Sequence, residues 1–335
     1  MIKKASVSSF GPLKSAAFED FGNINLFIGH NGSGKTFMLK ALYTAMKTVE
    51  AYKRGREMRS EKEILADKLY WMFQASSLGE LVRKGDNNLH FSMESENKET
   101  FSFTFGNSTT KSINSVSNTF EPRMANTIFI PAKEILSLRD VILEARENYS
   151  TFGFDDAYYD LAKALRPTTK GKNVKGFSDA RKQLGNAIGG RIGYDEKQKA
   201  WFFYGEGNKK FDLSITSEGI KKISILDALL GNHFLSRESI IFIDEAEANL
   251  HPEMIAHFMD IIYMLAKSGL QFFISSHSFF VIKKLHIIAK RHRMSLPTWS
   301  FENQQTVRYD LMEDMPENAI VNESIRLYKE EIGAL

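Results

Sequence analysis

The chain opens with alternating apolar and polar positions. Residues 2 to 8 and Leu13 to Phe18 read as strands flanking a Phe10-Gly11-Pro12 turn, and Ile24-Asn25-Leu26-Phe27-Ile28 reads as a third strand. At Gly29 the period changes. After a glycine-rich stretch, Phe37, Leu39, Leu42 and Met46 recur at helical spacing, so the local order is strand, glycine loop, helix. Glu61 to Phe73 predicts a second helix, His90 to Met93 with Phe101 to Phe105 a hairpin, and Thr127 to Ile130 a short buried strand stopped by Pro131. From Ile135 to Ile188 the pattern is helical and polar and is broken by Pro167 and several glycines, which predicts an inserted helical lid. Beyond Trp201-Phe202-Phe203-Tyr204, strands at 239 to 243 and 271 to 275 alternate with helices ending near Leu230, Leu265 and Arg293; a short strand pair and a helix from Ala319 follow. Such alternation implies an α/β fold with a mostly parallel sheet and helices on its faces.

Composition narrows the class. With 335 residues, 43% hydrophobic and 25% charged, the chain is a folded globular protein with room for about two domains, or one domain carrying a large insertion. No apolar run approaches the ~18 residues of a membrane helix, and the basic start Met1-Ile2-Lys3-Lys4 leads into no apolar segment of a secretory signal. A cytoplasmic location and no membrane partner are therefore expected. Zero cysteines exclude disulfide scaffolds and cysteine-based zinc sites. A net charge of +3 is too balanced to argue for nucleic acid, which leaves that question to local clusters.

Candidate chemistry concentrates in three places. Gly29-His30-Asn31-Gly32-Ser33-Gly34-Lys35-Thr36 matches G-x-x-x-x-G-K-[ST], in the strand-loop-helix setting this motif needs. Its glycines let backbone amides turn toward phosphate oxygens and the next helix aims its positive end at the same anion. Lys35 is expected to bridge the β- and γ-phosphates of ATP and the Thr36 hydroxyl to ligate Mg²⁺. The apolar strand ending in Asp244-Glu245 delivers two acids where parallel sheets bind ligands, one suited to hold Mg²⁺ and the next to polarise the attacking water. The strand that follows ends in Ser275-Ser276-His277-Ser278, which places a histidine at the same sheet end.

Together these residues resemble the ABC-type ATPase branch that includes the SMC, RecF and overcoming-lysogenization-defect (OLD) proteins. Phe10-Gly11-Pro12 with residues 29 to 36 resembles that branch's F-G-P and G-x-N-G-S-G-K-[ST] opening. Asp244-Glu245-Ala246-Glu247-Ala248-Asn249-Leu250-His251-Pro252 is similar to D-E-P-E-x-x-L-H-P, with Ala246 where proline is usual, and Ser276-His277-Ser278 matches a T-H-S switch histidine. The resemblance covers about residues 1 to 45 and 210 to 285. It implies an ATPase head at 1–134 and 197–335, with an N-terminal antiparallel β element and an inserted helical lid at 135–196. It implies Glu245, Lys35 and His277 in catalysis, and Ser217 and Gly219 as a signature loop reaching the γ-phosphate on a second protomer. It also implies a glutamine loop, for which Gln74 is the candidate metal ligand. From the residues alone, Ser217 also reads as a helix N-cap.

The span from Lys35 to Asp244 accommodates a modest lid but no SMC-length heptad arm, and no nuclease domain is expected after His277. The resemblance thus implies a stand-alone ATPase subunit like those of the two-gene antiphage systems Septu and PARIS. Expected partners are a second copy with ATP at the interface, in a homodimer or higher homo-oligomer, and a separately encoded nuclease or toxin effector. The alternative is a RecF-like DNA repair clamp. Lys53, Arg54, Arg56 and Arg59, and in the lid Lys163, Arg166, Lys170, Lys172, Lys175, Arg181 and Lys182, read either as a nucleic-acid track or as a solvated basic face.

Overall fold

The computed structural model describes residues 1–167, 171, 174–195, 197–198, 200–302 and 305–334. The chain forms two compact units, one made of residues 1–124 and 273–335 and the other of residues 125–272.

In unit 1 the expected antiparallel element is a five-stranded sheet in the order β2-β1-β4-β5-β6. Its strands are β1 (Ile2–Phe10), β2 (Leu13–Phe18), β4 (Asn88–Ser95), β5 (Thr100–Gly106) and β6 (Ser115–Asn118). Period-two alternation sends Phe101, Phe103 and Phe105 of β5 to one face, where Phe103 stacks on Phe91 of β4 at 5.1 Å between centroids. The third N-terminal strand, β3 (Ile24–Gly29), is buried along its whole length, as a strand covered on both faces must be. It runs parallel to β13 (Pro297–Glu302), and β14 (Gln305–Asp310) pairs antiparallel on the far side of β13. An aromatic cluster fills the space beside these strands: Phe21 lies 4.9 Å from both Phe273 and Trp299. The unit's helices are α1 (Lys35–Ala51), α2 (Glu61–Phe73), α8 (Phe279–His292) and α9 (Ala319–Ala334). A capping box starts α2, with Ser60 and Glu63 exchanging side-chain and backbone bonds.

In unit 2 the four-residue strands β7 (Thr127–Ile130) and β11 (Ile240–Ile243) pair in parallel, Thr127 opposite Ile240, and all eight residues are buried. Phe129 stacks on Phe242 at 6.2 Å. Around them stand α3 (Arg139–Glu147), α4 (Asp156–Ala164), α5 (Lys175–Ile188), α6 (Glu218–Gly231) and α7 (Pro252–Lys267). The helices expected at 135–196 are thus present as α3 to α5; α4 packs on β7, and α5 packs on α6 and α7 within unit 2. A small antiparallel sheet of β8 (Arg191–Asp195), β9 (Ala200–Tyr204) and β10 (Lys210–Asp212) adjoins them, of which the alternation had marked only residues 201 to 204. Strand β12 (Gln271–Ser276) carries the chain back into unit 1, where it lies beside β3. Among the described residues no helix is long and apolar enough to cross a membrane.

Candidate functional site

In unit 1 the chain leaves β3 at Gly29 and must turn at once into α1. Gly29 has φ 143°, and a Cβ there would stand 2.5 Å from the carbonyl oxygen of Phe301. Gly34, the N-cap of α1 at φ 103°, has the Leu13 side chain 2.7 Å from where its Cβ would be. Only glycine meets both the dihedral and the space at these two positions. No side chain caps α1, so its first amides point into the loop, the arrangement that binds anions at helix N-termini. Lys35 is 6% exposed, and its Nζ donates to the carbonyls of Gly29 at 2.8 Å and His30 at 2.7 Å. The ammonium is thereby held inside the curve of the loop. Ser33 Oγ is buried there with no hydrogen-bond partner, a polar atom that a phosphate oxygen would satisfy. His30, Asn31 and Gly32 are exposed and Thr36 is half-buried on the first turn of α1. Beside the loop opens a cavity of about 440 Å³ whose lining includes Pro12, Leu13, Ala16, His30, Asn31 and Arg83.

Two more expected residues lie in unit 1. His277 is exposed directly after β12, and the Ser276 hydroxyl accepts from the amide of Ser278, which starts α8. Gln74 caps α2 in a left-handed conformation, φ 50°, with its Nε2 buried and unbonded.

In unit 2 the β7–β11 ladder runs one residue past the strand, the Asp244 amide donating to the Ile130 carbonyl at 2.9 Å. Asp244 is 8% exposed and Glu245 is half-buried. Glu245 takes φ 45°, unusual for a side chain of its size, and its carbonyl accepts from the Ala248 amide at 2.9 Å. The chain thus turns sharply after the carboxylates, with Ala246 fully buried. His251 then caps α7, and Pro252 occupies its first turn. Ser217 is the N-cap of α6, its hydroxyl accepting from the Ile220 amide at 3.4 Å. Gly219 in that first turn lies so close to the loop after the carboxylates that a Cβ would be 2.6 Å from Asn249 O.

Two residues near the carboxylates had not been singled out in the sequence. Lys222 of α6 is 1% exposed, and its Nζ donates to the Glu245 carbonyl at 2.5 Å. Burial pushes its pKa down to about 8, while Glu247, Asp244 and Glu245 oppose that shift. Tyr158 of α4 is pushed up to about 12, chiefly by burial and then by the charges of Asp155, Asp244 and Glu245. The signal for Lys222 was present: Lys221-Lys222 interrupts the apolar run of α6, and a helix buried all round has no polar face to take two lysines. Lys221 is consumed by Glu218 at 2.8 Å and Glu134 at 3.7 Å.

Several residues of the basic clusters have acidic or aromatic partners. Arg181 turns inward to Asp227, Lys163 lies over the Tyr159 ring, Arg54 bonds Glu50, and Arg59 bonds Glu57 and Asp67. Lys175 and Lys182 are exposed, whereas Lys170 and Lys172 lie outside the described residues.

Residues 24–283 match a model of the family described as AAA domain, putative AbiEii toxin, Type IV TA system. No curated protein sequence matches the chain. Among solved structures the chain is similar to the SMC head domain from Thermotoga maritima, at 14% identity and TM-score 0.50, covering 92% of this chain and 98% of that one. It is similar to an SmcHead bound to the C-winged helix domain of ScpA, at 14% identity and TM-score 0.56, covering 93% and 98%. The Smc head with an extended coiled coil bound to the C-terminal domain of ScpA, derived from Pyrococcus furiosus, aligns at 12% identity and TM-score 0.52 over 98% of each chain. At these identities the likeness is one of fold: an α/β domain with a mixed, mostly parallel sheet and flanking helices.

Proposed function

The chain belongs to the AAA domain family whose model spans residues 24–283, and from that premise we propose an ATPase that senses a trigger and controls a separately encoded effector. One observation carries the nucleotide reading. The Lys35 ammonium sits 2.7 to 2.8 Å from two loop carbonyls at the uncapped start of α1. A triphosphate entering the loop would meet that cation, the first amides of α1 and the orphaned Ser33 hydroxyl, so the residues fit the group. The cavity walled by Pro12, Leu13 and Ala16 adjoins the loop and falls within the ~300–1,000 Å³ of small-molecule sites, a suitable place for the nucleoside.

Thr36 and Asp244 are the first candidates to hold Mg²⁺, with Gln74 a third; when bound, the ion neutralises phosphate charge. Lys35 orients the β- and γ-phosphates. Glu245 accepts a hydrogen bond from the attacking water and polarises it, and His277 contacts the γ-phosphate edge. Ser217 and Gly219 contribute to the site of a second copy, which makes the ATP-bound state a homodimer or a larger assembly of such pairs.

The role proposed for this cycle is antiphage defence, with a nuclease or toxin as the controlled partner. The family's description names a putative toxin of a Type IV TA system, which supports a chain that works with a separately encoded partner. The alternative is a DNA clamp, in which Arg181 would not be a phosphate contact because it pairs with Asp227. The deciding experiment measures ATP turnover of the purified chain alone, with its genomic neighbour, and with duplex DNA. Turnover changed by the neighbour supports effector control; turnover and salt-sensitive binding changed by DNA alone favour the clamp. No ATP binding in any condition refutes both.

A further inference from the structure

The face of α6 that carries Gly219 and Lys222, three residues apart, meets both ends of the loop that follows the carboxylates. Gly219 packs on the Asn249 carbonyl, and Lys222 donates to the Glu245 carbonyl. That carbonyl already accepts from the Ala248 amide, so two donors converge on one oxygen and define the plane of the 245–246 peptide. The residue so fixed is itself left-handed, φ 45°.

We propose that Lys222 is a positioning residue for ATP hydrolysis: its ammonium locks the peptide after Glu245 and thereby aims the Glu245 carboxylate. An ammonium that is 1% exposed is costly to bury, and an apolar side chain of similar length would occupy the same space without that cost. The charge therefore serves something other than packing. Asp244, Glu245 and Glu247 all favour its charged form. The neighbouring Lys221 cannot substitute, because it is turned to Glu218 and Glu134.

This inference rests on Glu245 as the water-polarising residue, and its test separates the two. Lys222→Met keeps length and removes the charge. Its kcat for ATP is expected to fall ~10-fold or more while affinity for a fluorescent ATP analogue stays within about two-fold, the signature of an interaction needed only in the transition state. In Lys222→Ala, ethylammonium should restore part of the lost kcat and tetramethylammonium should not, since only the former can donate to the Glu245 carbonyl. Amide hydrogen exchange provides a readout without turnover: the Ala248 amide should exchange faster in Lys222→Met than in wild type, and it does so whether or not Glu245 is catalytic. Unchanged exchange at Ala248, or a folded Lys222→Met with wild-type kcat, overturns the inference. Parallel loss of affinity and kcat assigns Lys222 a purely structural role and overturns it too. Wild-type protein that binds ATP without hydrolysing it overturns the ATPase reading instead, with the exchange result standing.

Discussion

Arg181 on α5 donates through Nε to Asp227 on α6 at 2.8 Å, and Asp227 is 2% exposed. A carboxylate buried this deeply needs its cation, and removing one partner of such a pair costs about 3–5 kcal/mol. Arg181→Ala should therefore lower the thermal midpoint clearly, and Arg181→Ala/Asp227→Leu should recover much of the loss. If nucleic acid binds this chain, the double variant should keep the wild-type salt slope, because Arg181 is not a phosphate contact. A slope reduced by about one would return Arg181 to the basic track.

Lys35→Ala removes the cation held inside the phosphate loop, and ATP binding measured by calorimetry should fall below detection. Gly29→Ala should do the same for a different reason. Its Cβ would press on the Phe301 carbonyl at 2.5 Å, so the loop must move away from its present curve. Wild-type affinity in either variant removes the nucleotide assignment for residues 29 to 36.

Glu245→Gln keeps shape and loses charge, so it should bind ATP with near wild-type affinity and turn over at least ~100-fold more slowly. Trapped ATP should then add a dimerisation step visible by light scattering. Ser217→Arg in the same background should block that step, while Ser217→Ala, which removes the hydroxyl that caps α6, should also cost stability of about 1 kcal/mol. Equal mass with and without ATP in Glu245→Gln argues against ATP-driven pairing.

The Lys222 ammonium has a pKa pushed down from 10.5 to about 8 by burial. Between those values the unfolded chain binds the proton more readily than the folded one, so folding stability rises with pH across that window. The burial cost is fully present below about pH 8 and is relieved by about pH 10.5. Relative to Lys222→Met, wild type should gain up to about 3 kcal/mol between these limits in urea unfolding. A pH-independent difference would place the lysine in contact with solvent.

Local pattern by itself determined the strand, loop and helix start proposed to hold phosphate. The change from period two to period 3.6 around 29 to 36 requires nothing beyond neighbouring residues, and β3, the loop and α1 appear where that change put them. Helix α2 spans Glu61–Phe73 as its spacing indicated, because its capping box and apolar stripe are both local. Strand β6, with the sequence SVSN and no buried residue, carried no such mark and exists because β5 offers it an edge. Sheet β8-β9-β10 likewise depends on segments finding one another, not on any one of them. The same holds for charge. Arg181 meets a partner 46 residues away and Lys222 one 23 residues away. In the sequence they are two basic residues among many. Whether such a residue tracks a phosphate, closes an ion pair or holds a carbonyl is decided by burial, since only desolvation makes one partner worth far more than water, and burial is a property of the packed chain.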